Sequence, residues 1–147
     1  SMARDDFHFV HTLRVRYDEI DGQRIVYNGR YLSYMDIAQT EYFRTGLRLH
    51  LYDLADANVF DVATVHAELD YLRSFQLDEV VEIGVRCTTI GTTSLTFAFT
   101  MWKAGEADAY FRATAVFVNF DPVRKAKRPV PAVVREAIAR LEGWERV

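Results

Sequence analysis

The most informative segment of the sequence for the fold is Asn28-Gly29-Arg30-Tyr31-Leu32-Ser33-Tyr34-Met35-Asp36-Ile37-Ala38-Gln39-Thr40-Glu41-Tyr42-Phe43-Arg44. Its apolar side chains recur at helical spacing and cover most of the helix surface. The polar residues lie three or four apart on one narrow stripe: Ser33, Asp36, Thr40 and Arg44. Such a helix is buried on most sides, and Gly46 is its expected C-cap. A single buried helix in a chain of 147 residues needs a surrounding layer, and a curved β-sheet is the natural candidate.

The segments around this helix have the apolar alternation of β-strands. Strands are predicted over residues 9–17, 59–71, 80–90, 94–102 and 110–120. The links 90–94 and 103–108 are short enough for hairpins. A final amphipathic helix is expected after Pro129 and Pro131. The order β-α-β-β-β-β-α therefore predicts an α+β fold, in which an antiparallel sheet of about five strands accompanies one long buried helix and a C-terminal helix.

Composition limits the classes of protein to which the chain can belong. It is 50% hydrophobic and 27% charged, as in a globular protein, and its length predicts a single domain over residues 1–147. With 18 basic and 21 acidic residues the net charge is −3, which gives no overall attraction to nucleic acid or to an anionic membrane. No apolar run approaches the roughly 18 residues of a membrane span, and the N-terminal residues lack the apolar stretch of a signal peptide. We therefore expect a cytoplasmic protein.

The single cysteine, Cys87, excludes an intrachain disulfide and a site with several cysteine ligands. The histidines His8, His11 and His50 have no metal-ligand spacing with one another or with Cys87, so no metal site is predicted. Cys87 alternates with apolar residues and is expected to be a buried, inert thiol.

Three carboxylates, Asp18, Glu19 and Asp21, lie in the loop directly before the predicted helix. The first N–H groups of a helix lack intrahelical partners and carry partial positive charge, so they can stabilise an oxyanion. A carboxylate held nearby can act as a nucleophile or a general base. Without other information, the residues favour the alternative that the acidic side chains merely cap the helix and complement its dipole.

Residues 16–32 resemble the opening signature of the hotdog-fold acyl-CoA thioesterases of the 4-hydroxybenzoyl-CoA thioesterase type. That signature contains Asp-x-x-Gly, a hydrophobic residue, Val, and Tyr or Asn, followed by Asn-Tyr-Leu. The residues in register are Asp21, Ile25, Val26, Tyr27, Tyr31 and Leu32. Segments 69–81, 90–95, 115–118 and 127–131 resemble the later strands and turns of the family, so the likeness extends from about residue 9 to residue 131.

The resemblance implies a hotdog domain that hydrolyses an acyl-CoA thioester to a carboxylic acid and free CoA. It requires no cofactor, since CoA is part of the substrate, and no metal. Asp21 falls on the family's catalytic carboxylate. Asn28 falls where a backbone N–H at the helix start points at the thioester carbonyl. Tyr27 and Tyr31 are then expected in the substrate pocket or in the core. The family's protomers pair edge to edge with active sites at the shared interface, so a homodimer or homotetramer is expected.

Other residues have two open interpretations each. Thr93 and Ser94 are interpreted either as residues that contact the pantetheine or a phosphate of the substrate, or as part of an ordinary hairpin turn. A basic cluster consists of Arg124, Lys125, Lys127 and Arg128. It is interpreted either as a binding site for the CoA phosphates or as a solvent-exposed surface without a ligand. Asp36 is a second catalytic carboxylate or the partner of an Arg or a hydroxyl, and His66 is packed or lies at an interface.

Two residues depart from the family pattern. Arg24 replaces the usual Gly, which implies either a changed loop conformation or a charge at the pocket mouth. Arg30 replaces a common Asn. Two alternative functions stay open, and Arg24 favours the first of them. One is a non-catalytic acyl-thioester binding domain. The other is a hotdog hydratase or dehydratase, whose usual His does not closely follow Asp21.

Overall fold

The computed structural model describes residues 2–145 and confirms the α+β architecture. The strands are β1 (Phe9–Arg14), β2 (Val62–Tyr71), β3 (Val80–Ile90), β4 (Ser94–Lys103), β5 (Ala109–Asp121) and the two-residue β6 (Ala126–Lys127). The helices are α1 (Arg30–Glu41), α2 (Leu51–Asp56) and α3 (Ala132–Glu142). The sheet is antiparallel in the order β1-β3-β4-β5-β2, and β6 pairs with β5. It packs on α1, which supplies the centre of the hydrophobic core.

The core follows the predicted alternation in the central strands. The apolar face of β3 and β4 is fully buried, because each of these strands has a neighbour on both sides and α1 over that face. Its members are Val81, Ile83, Val85, Cys87, Leu95, Phe97, Phe99 and Met101.

The central helix differs from the prediction in two ways. Its regular part ends at Glu41 and continues as a π-helical turn, Tyr42–Leu47, which ends at Arg48 with φ of 59°. Gly46 is therefore not the cap; it lies inside the turn, where an added Cβ would be 3.1 Å from Leu141. The prediction of burial on most sides was also too broad, because Leu32 is 47% exposed and Ile37 is 40% exposed.

Two strand boundaries were also predicted incorrectly, and one short helix was not predicted. The first strand ends at Arg14 rather than at residue 17, because the chain turns into a 3₁₀ segment at Tyr17–Glu19. The second strand begins at Val62 rather than at residue 59, because α2 and a turn at Asn58, with φ of 57°, precede it. The helix α2 itself was not predicted.

Candidate active site

The loop between β1 and α1 folds back on itself as a small hairpin. A β-bridge joins Ile20 to Val26, and a second joins Ile25 to Gln76 in the segment before β3. The Val26 N–H also donates a hydrogen bond of 2.9 Å to the Phe75 carbonyl oxygen. These contacts fix the loop against the chain segment that follows β2, and they place Asp21 at the tip of the hairpin.

Asp21 is exposed, and backbone groups of its own turn orient it. Its Oδ1 accepts the Gln23 N–H at 2.8 Å, and its N–H donates to the Ile25 carbonyl oxygen at 2.9 Å. Its Oδ2 accepts no hydrogen bond from residues 2–145. An anchored carboxylate with one unengaged oxygen is suited to attack a substrate or to accept a proton.

Arg24 keeps the backbone conformation for which glycine is favoured. Its φ is 67°, and its N–H donates to the Asp21 carbonyl oxygen at 2.9 Å, which closes a turn over residues 21–24. For a residue with a side chain, this left-handed region costs about 1–2 kcal/mol. Of the two interpretations of the departure from Gly, the structure agrees with a charge at the pocket mouth.

Asp21 and Arg24 line a cleft of about 450 Å³ together with Tyr17, Ile20 and Leu77. The cleft thus combines one acid and one base with an aromatic ring and two aliphatic side chains. Sequence reasoning missed the last three residues. Tyr17 was assigned to the first strand but belongs to a 3₁₀ turn, and Leu77 comes from the segment before β3, so no local pattern placed either residue in the cleft.

Glu19 is 3% exposed and holds the loop to α1. Its Oε1 accepts the Arg16 N–H and the Tyr34 hydroxyl, both at 2.8 Å, and its Oε2 lies 3.4 Å from the Arg16 guanidinium. Burial, and then the hydrogen bond to Glu19, raise the pKa of Tyr34, so its hydroxyl keeps its proton and donates at neutral pH. Of the three loop carboxylates, Glu19 is thus a structural tether.

The start of α1 has unused hydrogen-bond donors. Its N-cap, Gly29, provides no side-chain cap, and no acidic residue lies in the first turn. Within residues 2–145, the N–H groups of Asn28 and Gly29 donate to no protein acceptor. Asn28 itself does not line the cleft. The Tyr71 hydroxyl donates to the Asn28 carbonyl oxygen at 3.2 Å, which fixes this end of the helix against β2.

The two predicted substrate-binding tyrosines lie in different surroundings. Tyr31 is in the core, where its ring stacks on Phe111 with centroids 5.0 Å apart and its hydroxyl accepts the Phe75 N–H at 3.3 Å. Tyr27 is 42% exposed, and the Arg30 guanidinium lies 5.4 Å from its ring centroid. Neither tyrosine lines the cleft, and their contact with substrate stays a prediction.

Thr93, Ser94 and the basic cluster lie at the opposite end of the sheet from the hairpin loop. The Asn119 N–H donates to the Thr93 carbonyl oxygen at 2.9 Å. The Arg128 guanidinium donates to Oδ1 of Asn119 and to Oδ1 of Asn58, both at 3.0 Å, so it already has protein acceptors. Arg124 and Lys125 are exposed in the turn before β6, and Lys127 is exposed in β6.

The remaining candidates lie away from the cleft. Asp36 is exposed on α1, where partial burial raises the pKa of its carboxyl group. His66 is on the edge strand β2, 3.9 Å from Glu68. Cys87 is buried as predicted, and burial raises the pKa of its thiol to about 12. In the described part of the chain, no three His, Cys, Asp or Glu side chains are grouped to hold a metal, and no helix has the length and apolar composition to cross a membrane.

Comparison with known proteins gives a consistent family. Residues 23–110 match the family model of the thioesterase superfamily. The chain is 28% identical over 119 residues to the acyl-CoA thioester hydrolase YbgC of Escherichia coli, covering 81% of this chain and 87% of that protein. A thioesterase from Thermus thermophilus, solved with coenzyme A and Zn, is 29% identical with a TM-score of 0.80, covering 95% of this chain and 97% of its own. A 1,4-dihydroxy-2-naphthoyl-CoA thioesterase from Synechocystis has the same fold, with a TM-score of 0.82, 21% identity and coverage of 91% and 97%.

Proposed function

The chain belongs to the thioesterase superfamily, and from this premise we propose that it hydrolyses acyl-CoA thioesters with Asp21 as the reacting carboxylate. The observation that supports this most directly is the position of Asp21, which lines the cleft beside three apolar or aromatic residues and has one carboxylate oxygen without a hydrogen bond. We propose further that neither a metal nor a redox cofactor takes part.

The reaction needs a nucleophile, a site for negative charge and a leaving thiol. Asp21 either attacks the thioester carbon or takes a proton from a water that attacks it. The carbonyl oxygen becomes an oxyanion, which the free N–H groups at the start of α1 stabilise. When the C–S bond breaks, CoA leaves as a thiolate and gains a proton. Water supplies the hydroxyl of the acid, after hydrolysis of an acyl-Asp21 anhydride if the carboxylate attacked directly.

The experiment that tests Asp21 is a thiol-release assay with Asp21→Asn. The amide oxygen of asparagine can still accept the Gln23 N–H, so the turn and the stability should remain. Turnover should fall by about 10²–10⁴-fold, the usual contribution of a positioned acid or base. Asp18→Asn is the matched control, because Asp18 is in the same loop and its side chain is 71% exposed, outside the cleft.

The substrate panel for this assay contains short, long and aromatic acyl-CoAs. Release by Asp21→Asn at the wild-type rate would contradict the mechanism. Binding of the esters without release by the wild-type protein would favour the non-catalytic binding alternative.

We propose that the active form is a homodimer, or a tetramer built from such dimers, paired through β2. This strand is at the edge of the sheet, and Val65 on it is 56% exposed. An unpaired edge strand is a template for a second copy. Pairing about a two-fold axis is isologous, so it would set the Val62 end of one β2 beside the Tyr71 end of the other.

This arrangement would also bring the predicted CoA contacts to the cleft. Val62 pairs with Asn119, which is hydrogen-bonded to both Thr93 and Arg128. At the other end of β2, the Tyr71 hydroxyl donates a hydrogen bond to the Asn28 carbonyl oxygen at the start of α1. Within one chain, the basic cluster and the helix start are therefore at opposite ends of β2. In an antiparallel pair, the basic cluster and the β3–β4 turn of one copy lie near the cleft of the other.

Val65→Asp tests the pairing, because two copies of the new carboxylate would oppose each other near the two-fold axis. We expect the mass measured by light scattering to fall to that of one chain, and thiol release to fall with it. A wild-type protein that is monomeric at micromolar concentration would contradict the proposal. We also propose a cytoplasmic location, since the free thiol of Cys87 suits a reducing compartment, and cell fractionation tests it.

A further inference from the structure

Arg24 is an unusual residue for its backbone position. Its φ of 67° is in the region that favours glycine, and it lies three residues after Asp21 in the turn that carries the carboxylate. Backbone strain at a residue next to the candidate reacting carboxylate raises the question of what the side chain of that residue does. Arg24 is also one of the residues that line the same cleft as Asp21.

The guanidinium of Arg24 has no partner among residues 2–145, whereas the two neighbouring arginines are engaged. Arg16 lies 3.4 Å from the Glu19 carboxylate and 4.0 Å from that of Asp18. Arg30 packs over the ring of Tyr27. The side chain of Arg24 therefore makes no hydrogen bond or ion pair with residues 2–145 that would stabilise the loop and offset the backbone strain.

The charge of Arg24 changes what the cleft can bind. With Asp21 alone, the cleft would repel an anion, and a CoA thioester carries several phosphate charges. The chain as a whole has a net charge of −3 and adds to this repulsion. A guanidinium on a residue of the same cleft provides paired N–H donors for a carboxylate or a phosphate.

We propose that Arg24 is a specificity-determining residue that binds an anionic group of the thioester ligand. This inference rests on the proposed function and extends it to the chemistry of the substrate. The anionic group is either a carboxylate on the acyl chain or a phosphate of CoA. Both have the oxygen geometry that a guanidinium binds, so the experiment distinguishes them.

The test is equilibrium binding of three non-hydrolysable probes by calorimetry. They are S-hexyl-CoA, S-(5-carboxypentyl)-CoA, which adds a terminal carboxylate, and S-hexyl-pantetheine, which lacks the phosphates. The variants are Arg24→Gly, Arg24→Gln and Arg24→Lys. Arg48→Gly is the matched control, since Arg48 also has positive φ, 59°, but lines a different cavity with α3.

We expect Arg24→Gly and Arg24→Gln to weaken binding of the probe that carries the recognised anion about tenfold. If the anion is on the acyl chain, only the carboxypentyl probe loses affinity. If it is a CoA phosphate, both CoA probes lose affinity and the pantetheine probe does not. Arg24→Lys should retain part of the preference, and Arg48→Gly should retain all of it.

Equal affinities of wild type and Arg24→Gln for all three probes would overturn the proposal, as would an equal loss for all three. Failure of the wild-type protein to bind any probe would overturn it too. A thiol-release assay on hexanoyl-CoA and adipyl-CoA is run in parallel. Anion-dependent binding without release would refute the proposed hydrolysis and leave the anion site standing, so the two failures are distinguishable.

Discussion

The Glu19–Tyr34 hydrogen bond gives a prediction that links the fold to the candidate site. Tyr34 is fully buried in α1, and its hydroxyl donates to Glu19 at 2.8 Å. Glu19 is two residues from Asp21, so this bond connects the loop to the central helix. Tyr34→Phe removes the donor and leaves the ring in place.

The magnitude follows from the character of the bond. A hydrogen bond to a charged group contributes about 1.5–3 kcal/mol, so Tyr34→Phe should lower the free energy of unfolding by about that amount. Glu19→Ala should cost about 2–4 kcal/mol, because it leaves both the Tyr34 hydroxyl and the Arg16 N–H without an acceptor. In the double variant the losses should be non-additive by about 1.5–3 kcal/mol.

The assay is urea unfolding of the four proteins at one fixed concentration, because association would make stability concentration-dependent. Thiol release is measured on the same samples. We expect Tyr34→Phe to reduce kcat/KM several-fold through a looser Asp21 loop. A coupling below about 0.5 kcal/mol would refute the tether, and unchanged kcat/KM in a destabilised Tyr34→Phe protein would refute its link to the site.

Three further predictions concern the core and the N-terminal segment. The thiol of Cys87, with its pKa raised to about 12, should not react with Ellman's reagent until the protein unfolds. Since the thiol of the unfolded chain ionises near 9.0, its contribution to stability should be complete below pH 9 and lost as the pH rises to about 12. Unfolding curves that show no such loss relative to Cys87→Ala would contradict this prediction. Glu142→Ala should lower the free energy of unfolding by about 2–5 kcal/mol in urea, because Oε2 accepts the Tyr42 hydroxyl at 2.6 Å and the Cys87 N–H at 3.1 Å, whereas Glu142→Gln keeps an acceptor and should cost less than half of that. Gly84→Ala should displace Phe7, since an added Cβ would lie 2.6 Å from its ring, and limited proteolysis should then cut the N-terminal segment faster than in the wild type.

The core was predictable because its periodicity is local. The alternation in β3 and β4 and the apolar spacing in α1 identify the buried faces without any knowledge of the tertiary fold. The errors occur where a local signal was weak or was overridden. Residues 42–47 continue the helical pattern but form a π-helical turn. Gly46 does not cap the helix; it lies close to the Leu141 side chain, which an added Cβ would approach to 3.1 Å.

The candidate site was predictable only in part. Asp21 and Asn28 were identified because they occupy positions of a family signature in consecutive sequence. Tyr17 and Leu77 were not, since they join the cleft from a 3₁₀ turn and from the segment before β3. The structural role of Glu19 depends on its bond to Tyr34, fifteen residues away, which no local pattern indicates.

Residue spacing along the chain predicted the five long strands, the central and C-terminal helices, the family resemblance and the position of the carboxylate in the loop, because all of these depend on the order of residues in the sequence. The tertiary structure determines how the loop carboxylates are engaged: Glu19 is buried and accepts hydrogen bonds from Arg16 and Tyr34, whereas Asp21 is exposed and lines the cleft. It also places Arg24 in the same cleft as Asp21. Whether a side chain at positive φ points into solvent or into a cleft is set by the residues that surround it in space, and these come from distant parts of the chain.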